Sequence, residues 1–414
     1  MPKLRLQVTA ISPLSFSARR GAPSAFSETL SYLPGPSLRG SAAAHYLRAI
    51  GGADDNDFRA VFAGGAVLFS NLLPERSADE EPYRLERPLP TTARCCKAYR
   101  GFLADSSQGD EKHGVSDVLI NAVAAKLSGN PALLDHVWHC PRCGQRSEHL
   151  AGVYERRPTG QSRLVEVRKR HLPHVGINRL SQTAEDGVLY AQQVVDEFRR
   201  EAHGGAYLPQ TFAGDLVVAS DYVEFIQNSL LREGTFLWVG DSRSRGLGRV
   251  QVTRCAESKS DEGEQLRQRI EAFNDAIENV SGPTQDRDYV AITLQSDAIV
   301  RDEFLRPKSF LDGDDITKAI GAPIPSLNLV YSNGGSRLVQ SWNLAAGYPK
   351  PDELAIKMGS VFVFEVPAGY RAELAPPLSL LQERGIGRRT TEGFGRLTVC
   401  DPFHTEVNEL WQTT

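Results

Sequence analysis

The residues best equipped for chemistry are four cysteines crowded into one stretch: Cys95, Cys96, Cys140 and Cys143. Cys140-Pro141-Arg142-Cys143-Gly144 has the C-x-x-C spacing of a zinc-knuckle half, with a glycine that eases the turn around an ion. Zinc takes four tetrahedral ligands, so the other two must come from elsewhere. Adjacent cysteines diverge, which favours Cys96 and leaves Cys95 facing local packing. His113 falls in a turn between the two halves, whereas His139 abuts Cys140 awkwardly; Cys95 and His149 stay open as alternatives. The expected set is Cys96, His113, Cys140 and Cys143, holding one structural zinc. Such an ion would pin a segment too poor in apolar residues to fold unaided. Free thiols in a reducing compartment are the competing reading. Cys255 and Cys400 read as small core or strand residues.

A second chemistry is written twice. Gly240-Asp241-Ser242-Arg243-Ser244-Arg245-Gly246-Leu247-Gly248-Arg249-Val250 ends in Gly-apolar-Gly-Arg-apolar. So does Gly385-Ile386-Gly387-Arg388-Arg389-Thr390-Thr391-Glu392-Gly393-Phe394-Gly395-Arg396-Leu397, and each copy has a glycine six positions upstream, Gly240 and Gly387. Glycines let main-chain N–H groups crowd an anion. Arg243, Arg245, Arg249, Arg388, Arg389 and Arg396 add planar guanidinium forks that match phosphate. One such loop reads equally as a glycine-rich hairpin with solvated arginines; two in register imply a duplicated domain and a polyanion. Arg39 and Gly40, where a loop becomes a helix, could hold a further phosphate. Arg179 has the same double reading, phosphate contact or local ion pair.

Familiar catalytic signatures are missing. The sequence has no P-loop, G-x-S-x-G elbow or H-E-x-x-H. Asp312-Gly313-Asp314-Asp315 reads as a solvated acidic turn before it reads as a magnesium site, and His45 as a helical residue before an acid or base.

These groups need a frame. Leu4, Leu6, Val8 and Ala10 alternate as an opening strand, and residues 41–48 are helix material with Ser37 as cap and Gly51-Gly52 as stop. Strands recur at 216–219, 235–239, 289–294, 326–331 and 360–366, and Glu257–Glu278 reads as a charged helix. Strands dominate and connections are irregular, which predicts an α+β class. The expected organisation is a first unit at 1–255 with a polar insertion at about 79–170, a helical linker at 256–283 and a second unit at 284–414. The totals agree: 414 residues exceed one comfortable core, and 47 basic against 51 acidic residues leave −4, so nucleic-acid contact must come from local clusters. No apolar run is long enough to span a membrane and the N-terminus is unlike a signal peptide; the expectation is a cytoplasmic protein with no membrane partner.

With these motifs in place the sequence resembles the RAMP superfamily of CRISPR-associated proteins. Gly385–Gly395 fits the family's C-terminal G-x-G-x5-G-x-G in full, and the Gly240 loop fits it with one upstream glycine. Pro34-Gly35-Pro36-Ser37-Leu38-Arg39-Gly40 is similar to its P-G-S-S-L-R-G segment, departing at Pro36. His174 to Tyr190 resembles the segment preceding its thumb-like strand, and Trp342–Gly347 with Gly359–Phe362 the second half of five-prime cap subunits. The resemblance implies two tandem ferredoxin-like domains of RNA-recognition type. It further implies a non-catalytic, Cas-five-like cap subunit of a type III-D effector complex. Such a subunit would grip the five-prime tag of crRNA, contact the large polymerase-type and backbone subunits, and meet target RNA indirectly. Slicing members carry an aspartate before the P-G-S-S-L-R-G segment; Ser15–Leu33 has only Glu28, which argues against slicing. A RAMP endoribonuclease, slicer or guide processor, is the alternative.

Overall fold

The computed structural model describes residues 1–17, 26–76, 85–107, 109–157, 160–200, 206–258, 263–284, 287–322, 324–343 and 347–411. The expected start of the insertion at Asp79 and residues 344–346 of the Trp342–Gly347 motif lie outside them. Among the described residues no helix is long and apolar enough to cross a membrane.

The chain opens with β1 (Lys3–Ala10), α1 (Gly35–Ala49), α2 (Asn56–Phe62) and the short β2 (Val67–Leu68) and β3 (Leu73–Glu75). Within the insertion lie β4 (Ala93–Cys96), β5 (Val115–Asp117), α3 (Leu119–Ser128) and β6 (Ser147–His149). A long hairpin follows, β7 (Lys169–Ile177) with β8 (Ala184–Val195), then β9 (Thr211–Val218), β10 (Phe236–Trp238) and β11 (Arg249–Ser258). The rest comprises α4 (Gly263–Ser281), β12 (Arg287–Leu294), α5 (Gly313–Ile320), β13 (Asn328–Asn333), β14 (Val361–Pro367), α6 (Arg371–Arg384), β15 (Leu397–Val399) and α7 (Phe403–Glu406).

Alternation in β1 buries Leu4, Leu6, Val8 and Ala10 on one face. That strand runs antiparallel to β9 on one side and β11 on the other. The full order is β10-β11-β1-β9-β2, with β3 also pairing β9. The second sheet is ordered β13-β14-β12-β15, all antiparallel. In the second sheet β12 is flanked by the third strand and the last. In the first, β1 lies likewise between β9 and the last strand, β11, with the short β2 and β3 together in the place of one second strand and β10 added at the edge. In both a helix follows the opening strand. A helix also precedes the last strand: residues 223–230, ending in a π turn, in the first half, and α6 in the second. The fold is thus α+β, with one connectivity built twice.

Two cores result. Leu6, Val8, Phe69, Phe212, Leu216 and Val250 belong to the first; Ile292, Phe362, Phe364 and Leu378 to the second. The segment expected as a linker is mostly α4, whose Leu266, Ile270, Phe273 and Ile277 fall on one helical face and lie wholly inside the second core. α3 of the insertion joins them through Leu119, Ile120 and Val123.

α1 begins two residues before the expected cap. Pro34 is the N-cap and Pro36 sits in the first turn, where a missing N–H costs nothing. Ser37 is therefore helical, and Arg39 and Gly40 lie in the second turn, away from the free N–H groups.

Candidate metal centre and glycine-arginine loops

β4 is the middle strand of a three-stranded sheet between β5 and β6. Its pleat sends Cys95 and Cys96 to opposite faces: Cys95 packs with Phe102, Leu150 and Tyr154, whereas Cys96 meets Cys140 and Cys143. Gly144, at φ 69°, takes the left-handed turn that brings Cys143 back under Cys140, and its N–H donates to the Cys140 carbonyl at 2.8 Å. His113 is held from above by Tyr99, whose ring stacks on the imidazole at 4.1 Å. The result brings Cys96 Sγ and Cys143 Sγ to 3.5 Å and His113 Nδ1 and Cys140 Sγ to 3.2 Å. All four ligand atoms lie within 4.8 Å of one another. Tetrahedral zinc with bonds of ~2.3 Å wants ligand atoms ~3.7 Å apart, so the cluster fits a metal ion with little movement. Burial pushes the Cys96 thiol up to about 11, so a thiolate there needs a cation beside it. The alternatives fall away from the cluster: His149 Nδ1 lies 3.2 Å from the Ala93 carbonyl oxygen, and His139 is exposed.

The end of the chain completes this centre, a contribution the cysteine spacing did not announce. Leu410 and Trp411 pack against Cys96, Cys140 and Cys143. The Glu409 carboxylate accepts from the Leu103 and Val115 amides at 2.9 and 3.2 Å.

The two glycine-arginine loops share a backbone. Ser242 (φ 56°) and Arg389 (φ 59°) are left-handed residues that open a single 3-10 turn, and Gly246 (φ 84°) and Gly393 (φ 93°) close it. Gly240 and Gly387, Gly248 and Gly395 also pair off with positive φ. A left-handed arginine is strained, and it stands where the first copy has serine. The duplication is therefore one of conformation as well as letters.

Their surroundings differ. In the first copy Arg245, Ser244 and Gly246 are exposed, Arg243 and Arg249 half-buried. Arg245 donates to the Tyr190 hydroxyl and lies over its ring, 5.7 Å from the centroid; His174 stacks on the same ring at 4.9 Å. Arg249 stands 4.3 Å over Phe236. Ser242 Oγ donates to Gln192, whose amide donates to Ser15 Oγ at 2.8 Å, so the loop's root is tied to β8. Arg243 also lines a cavity of about 240 Å³ with Arg48 and Trp238.

The second copy is wedged between the halves. Gly393, Gly395 and Arg396 are buried, Gly385 too, while Gly387 and Arg388 are exposed. A Cβ at Gly35 would sit 2.5 Å from the Glu392 carbonyl oxygen, and one at Gly393 2.9 Å from that of Phe69. Arg396 donates from Nη1 to the Glu383 carbonyl (2.8 Å) and from Nη2 to the Leu68 carbonyl (3.3 Å). Burial pushes its guanidinium down to about 10, which leaves it charged at neutral pH. Arg389 binds Glu353 at 3.0 Å and Glu392 at 2.7 Å. Arg388, Arg301 and Lys350 line, with those groups, a cavity of about 560 Å³.

Arg39 donates to the Phe62 carbonyl, the last residue of α2, and so acts as a helix C-cap. Gly40 is exposed with open space around it. Arg179 is exposed at the tip of the β7–β8 hairpin. His45 is half-buried on α1, and burial with Arg48 lowers its pKa. Asp312 and Asp315 form a capping box at the start of α5 and share Lys308, which accounts for that acidic turn.

One catalytic-looking constellation escaped sequence reasoning because its members are far apart in the chain. Thr293 Oγ1 lies 2.7 Å from His404 Nε2, and His404 Nδ1 faces Asp117. The order hydroxyl, imidazole, carboxylate is that of a nucleophilic triad. Thr293 is 0% exposed, and the His404 and Asp117 side chains 0% and 1%. With no opening to substrate, the set joins insertion, sheet and chain end.

No family model matches the sequence, and no curated protein does. Among solved structures the chain is similar to a chain of the Type III-B Cmr-beta complex bound to cognate target RNA, at 12% identity over 95% of this chain and 96% of that one, with a TM-score of 0.43. The same complex with target RNA and AMPPnP gives 10% identity, 87% and 86% coverage and 0.43. A Cas6 product complex gives 14% identity, 47% and 81% coverage and 0.29. Identities and scores this low carry no function from those proteins to this one.

Proposed function

We propose that the chain is a non-catalytic RNA-binding subunit of a type III CRISPR effector complex, of the III-D-like kind, in the RAMP superfamily. Its two halves are read as tandem ferredoxin-like domains, 1–255 and 284–414, with a zinc-holding insertion at about 79–170. In this reading it caps the five-prime tag of crRNA in the cytoplasm, contacts the large polymerase-type and backbone subunits, and meets target RNA through them.

One observation carries the reading: the same left-handed glycine turn is built twice, and its first copy is open to solvent with arginines beside a stacked His174–Tyr190 pair. Amides and guanidiniums recognise phosphate, and an aromatic face accepts a base. RNA contact is assigned to Arg243, Arg245, Gly246 and Arg249, with Arg179 on the adjoining hairpin and Gly387 and Arg388 at the open rim of the second loop. Gly248 is buried with its N–H donated to the Pro13 carbonyl, which removes it from the expected set. Gly393 and Arg396 hold that second loop against the first half, while Gly385, Arg389 and Gly395 make their contacts within the second half.

The test is binding of five-prime-tag RNA across a salt series, with and without Arg243→Ala/Arg245→Ala. The expected result is weaker binding with a shallower salt dependence. Incubation with repeat RNA and with duplexed target, with and without magnesium, addresses the ribonuclease alternative. Specific cleavage lost in His45→Ala or Glu28→Ala would replace a cap with an enzyme.

A further inference from the structure

The metal centre carries on its outer side a surface that structural pinning does not require. The centre itself uses buried groups: Cys96, His113 and Cys140 are buried and Cys143 half-buried. Around it, Lys97, Arg100, Arg142 and Arg146 are exposed, with Arg94 half-buried among them. Pairing gathers these residues. Arg94 lies opposite His149 across β4 and β6, His139 bridges Arg146, and the Lys97 amide donates to the Arg146 carbonyl at 3.1 Å.

Their charge is not balanced locally. Arg100 pairs with Glu148 at 3.5 Å. Arg94 spends its donors on Ser147, at 3.0 Å to Oγ and 2.7 Å to the carbonyl, and has no ion pair among the described residues. Lys97, Arg142 and Arg146 have no ion pair among the described residues. Three thiolates and one divalent ion leave the centre itself about one unit negative; with Glu148 on Arg100 and with Glu111 and Glu409 beside Arg142, five cations still stand against about four negative units.

Two aromatic faces stand within this field. Trp138 is 44% exposed, with the Arg94 guanidinium 4.8 Å from its ring centroid. Tyr99 is 41% exposed while stacked on His113. An exposed ring beside guanidinium groups offers a stacking face, and cations in excess of nearby carboxylates attract an anion. A ligand that supplies both a flat ring and a regular negative charge satisfies the two together.

From this juxtaposition of unpaired cations with Trp138 and Tyr99, we infer that the outer face of the metal centre binds single-stranded nucleic acid. Bases stack on Trp138 and Tyr99, and phosphates run along Arg142, Arg146 and Lys97. The site lies on different elements from the glycine-arginine loops, so it stands or falls independently of them.

The test uses the full chain, metal-loaded, with a fluorescein-labelled single-stranded oligouridylate and the oligothymidylate of equal length read by anisotropy across a salt series. Arg142→Glu/Arg146→Glu is expected to weaken binding at least tenfold, and to flatten the log–log salt slope by about 1.4, at ~0.7 per phosphate on a single strand. Trp138→Ala is expected to cost about tenfold at any salt, as loss of one stacked base does. Zinc content and urea midpoint, unchanged in both, show that the centre is intact. The same losses should appear in an Arg243→Ala/Arg245→Ala background, which separates this face from the loops. Sensitivity with the ribo-oligomer, the deoxy-oligomer or both supports the inference and identifies the strand. Wild-type slope and affinity in the charge-reversed variant overturn it. So does a polyglutamate peptide that binds this face when neither oligonucleotide does.

Discussion

The two register-equivalent arginines, Arg249 and Arg396, should respond to the same substitution in opposite ways. Arg396 is buried and donates two hydrogen bonds that join Leu68 to Glu383 across the halves. A charge-assisted bond is worth ~1.5–3 kcal/mol net. The 3.3 Å bond to Leu68 belongs at the low end, and Nε has no partner among the described residues. Loss of both puts Arg396→Ala at ~3 kcal/mol of stability. Arg249 is half-exposed and rests on Phe236 at 4.3 Å, a contact worth ~0.5–1 kcal/mol. Arg249→Ala should therefore barely move the unfolding midpoint, yet remove one phosphate contact and flatten the RNA salt slope by ~0.7. Urea unfolding followed by tryptophan fluorescence and anisotropy titration across salt measure the two quantities separately. An Arg396→Ala protein with wild-type stability and a flattened slope would refute the division of labour between the loops.

Other outcomes follow from the same geometry. Burial pushes the Glu86 carboxyl up to about 7 against the pull of Arg5, above the ~4.3 of an unfolded chain. Its contribution is thus fully present below pH ~4.5 and lost as pH rises through 7, so Glu86→Gln should gain roughly 3 kcal/mol on the wild type between pH 4.5 and 8, read from urea midpoints. A wild type that gains on the variant reverses the sign. Metal analysis should return about one zinc per chain, and Cys140→Ser should lose it together with protease resistance of the chain end; a retained terminus without metal would show that Leu410 and Trp411 dock unaided. Gly240→Ala drives a Cβ into the Ser15 carbonyl, whereas Gly246→Ala meets open space. Both bear left-handed strain of ~1 kcal/mol, so thermal melts should place Gly240→Ala clearly lower, and equal melting temperatures would dismiss the close approach.

Much of the frame was readable from the chain. β1, β12 and β14 show themselves as alternating or apolar runs, and the glycine repeat announced a duplication that returns as matched φ angles at Ser242 and Arg389. Of the four-residue cluster, Cys96, Cys140 and Cys143 were legible from spacing and strand pleat, whereas His113 was one of several candidates for the fourth place until the fold brought it beside Cys140. What stayed hidden depends on distant packing. The letters around Arg249 and Arg396 match, but only the approach of Gly35 and Phe69 buries the latter. Arg39 became a cap because α2 ends beside it. The stripe of Leu266, Ile270, Phe273 and Ile277 was there to be read, yet its charged neighbours made the helix look like a spacer. Thr293, His404 and Asp117 share no local pattern at all.

The dependence of the knuckle on Leu410 and Trp411 sets a timetable for synthesis. A ribosome delivers Cys96 and Cys143 long before the residues that cover them, and N-terminal regions begin to fold first. Until Leu410 and Trp411 emerge, the apolar flank of Cys96 and Cys140 lacks the cover those two side chains give it. A stop codon placed at residue 400 would make that interval permanent, and would remove Phe403 and His404 from the insertion and the second sheet as well.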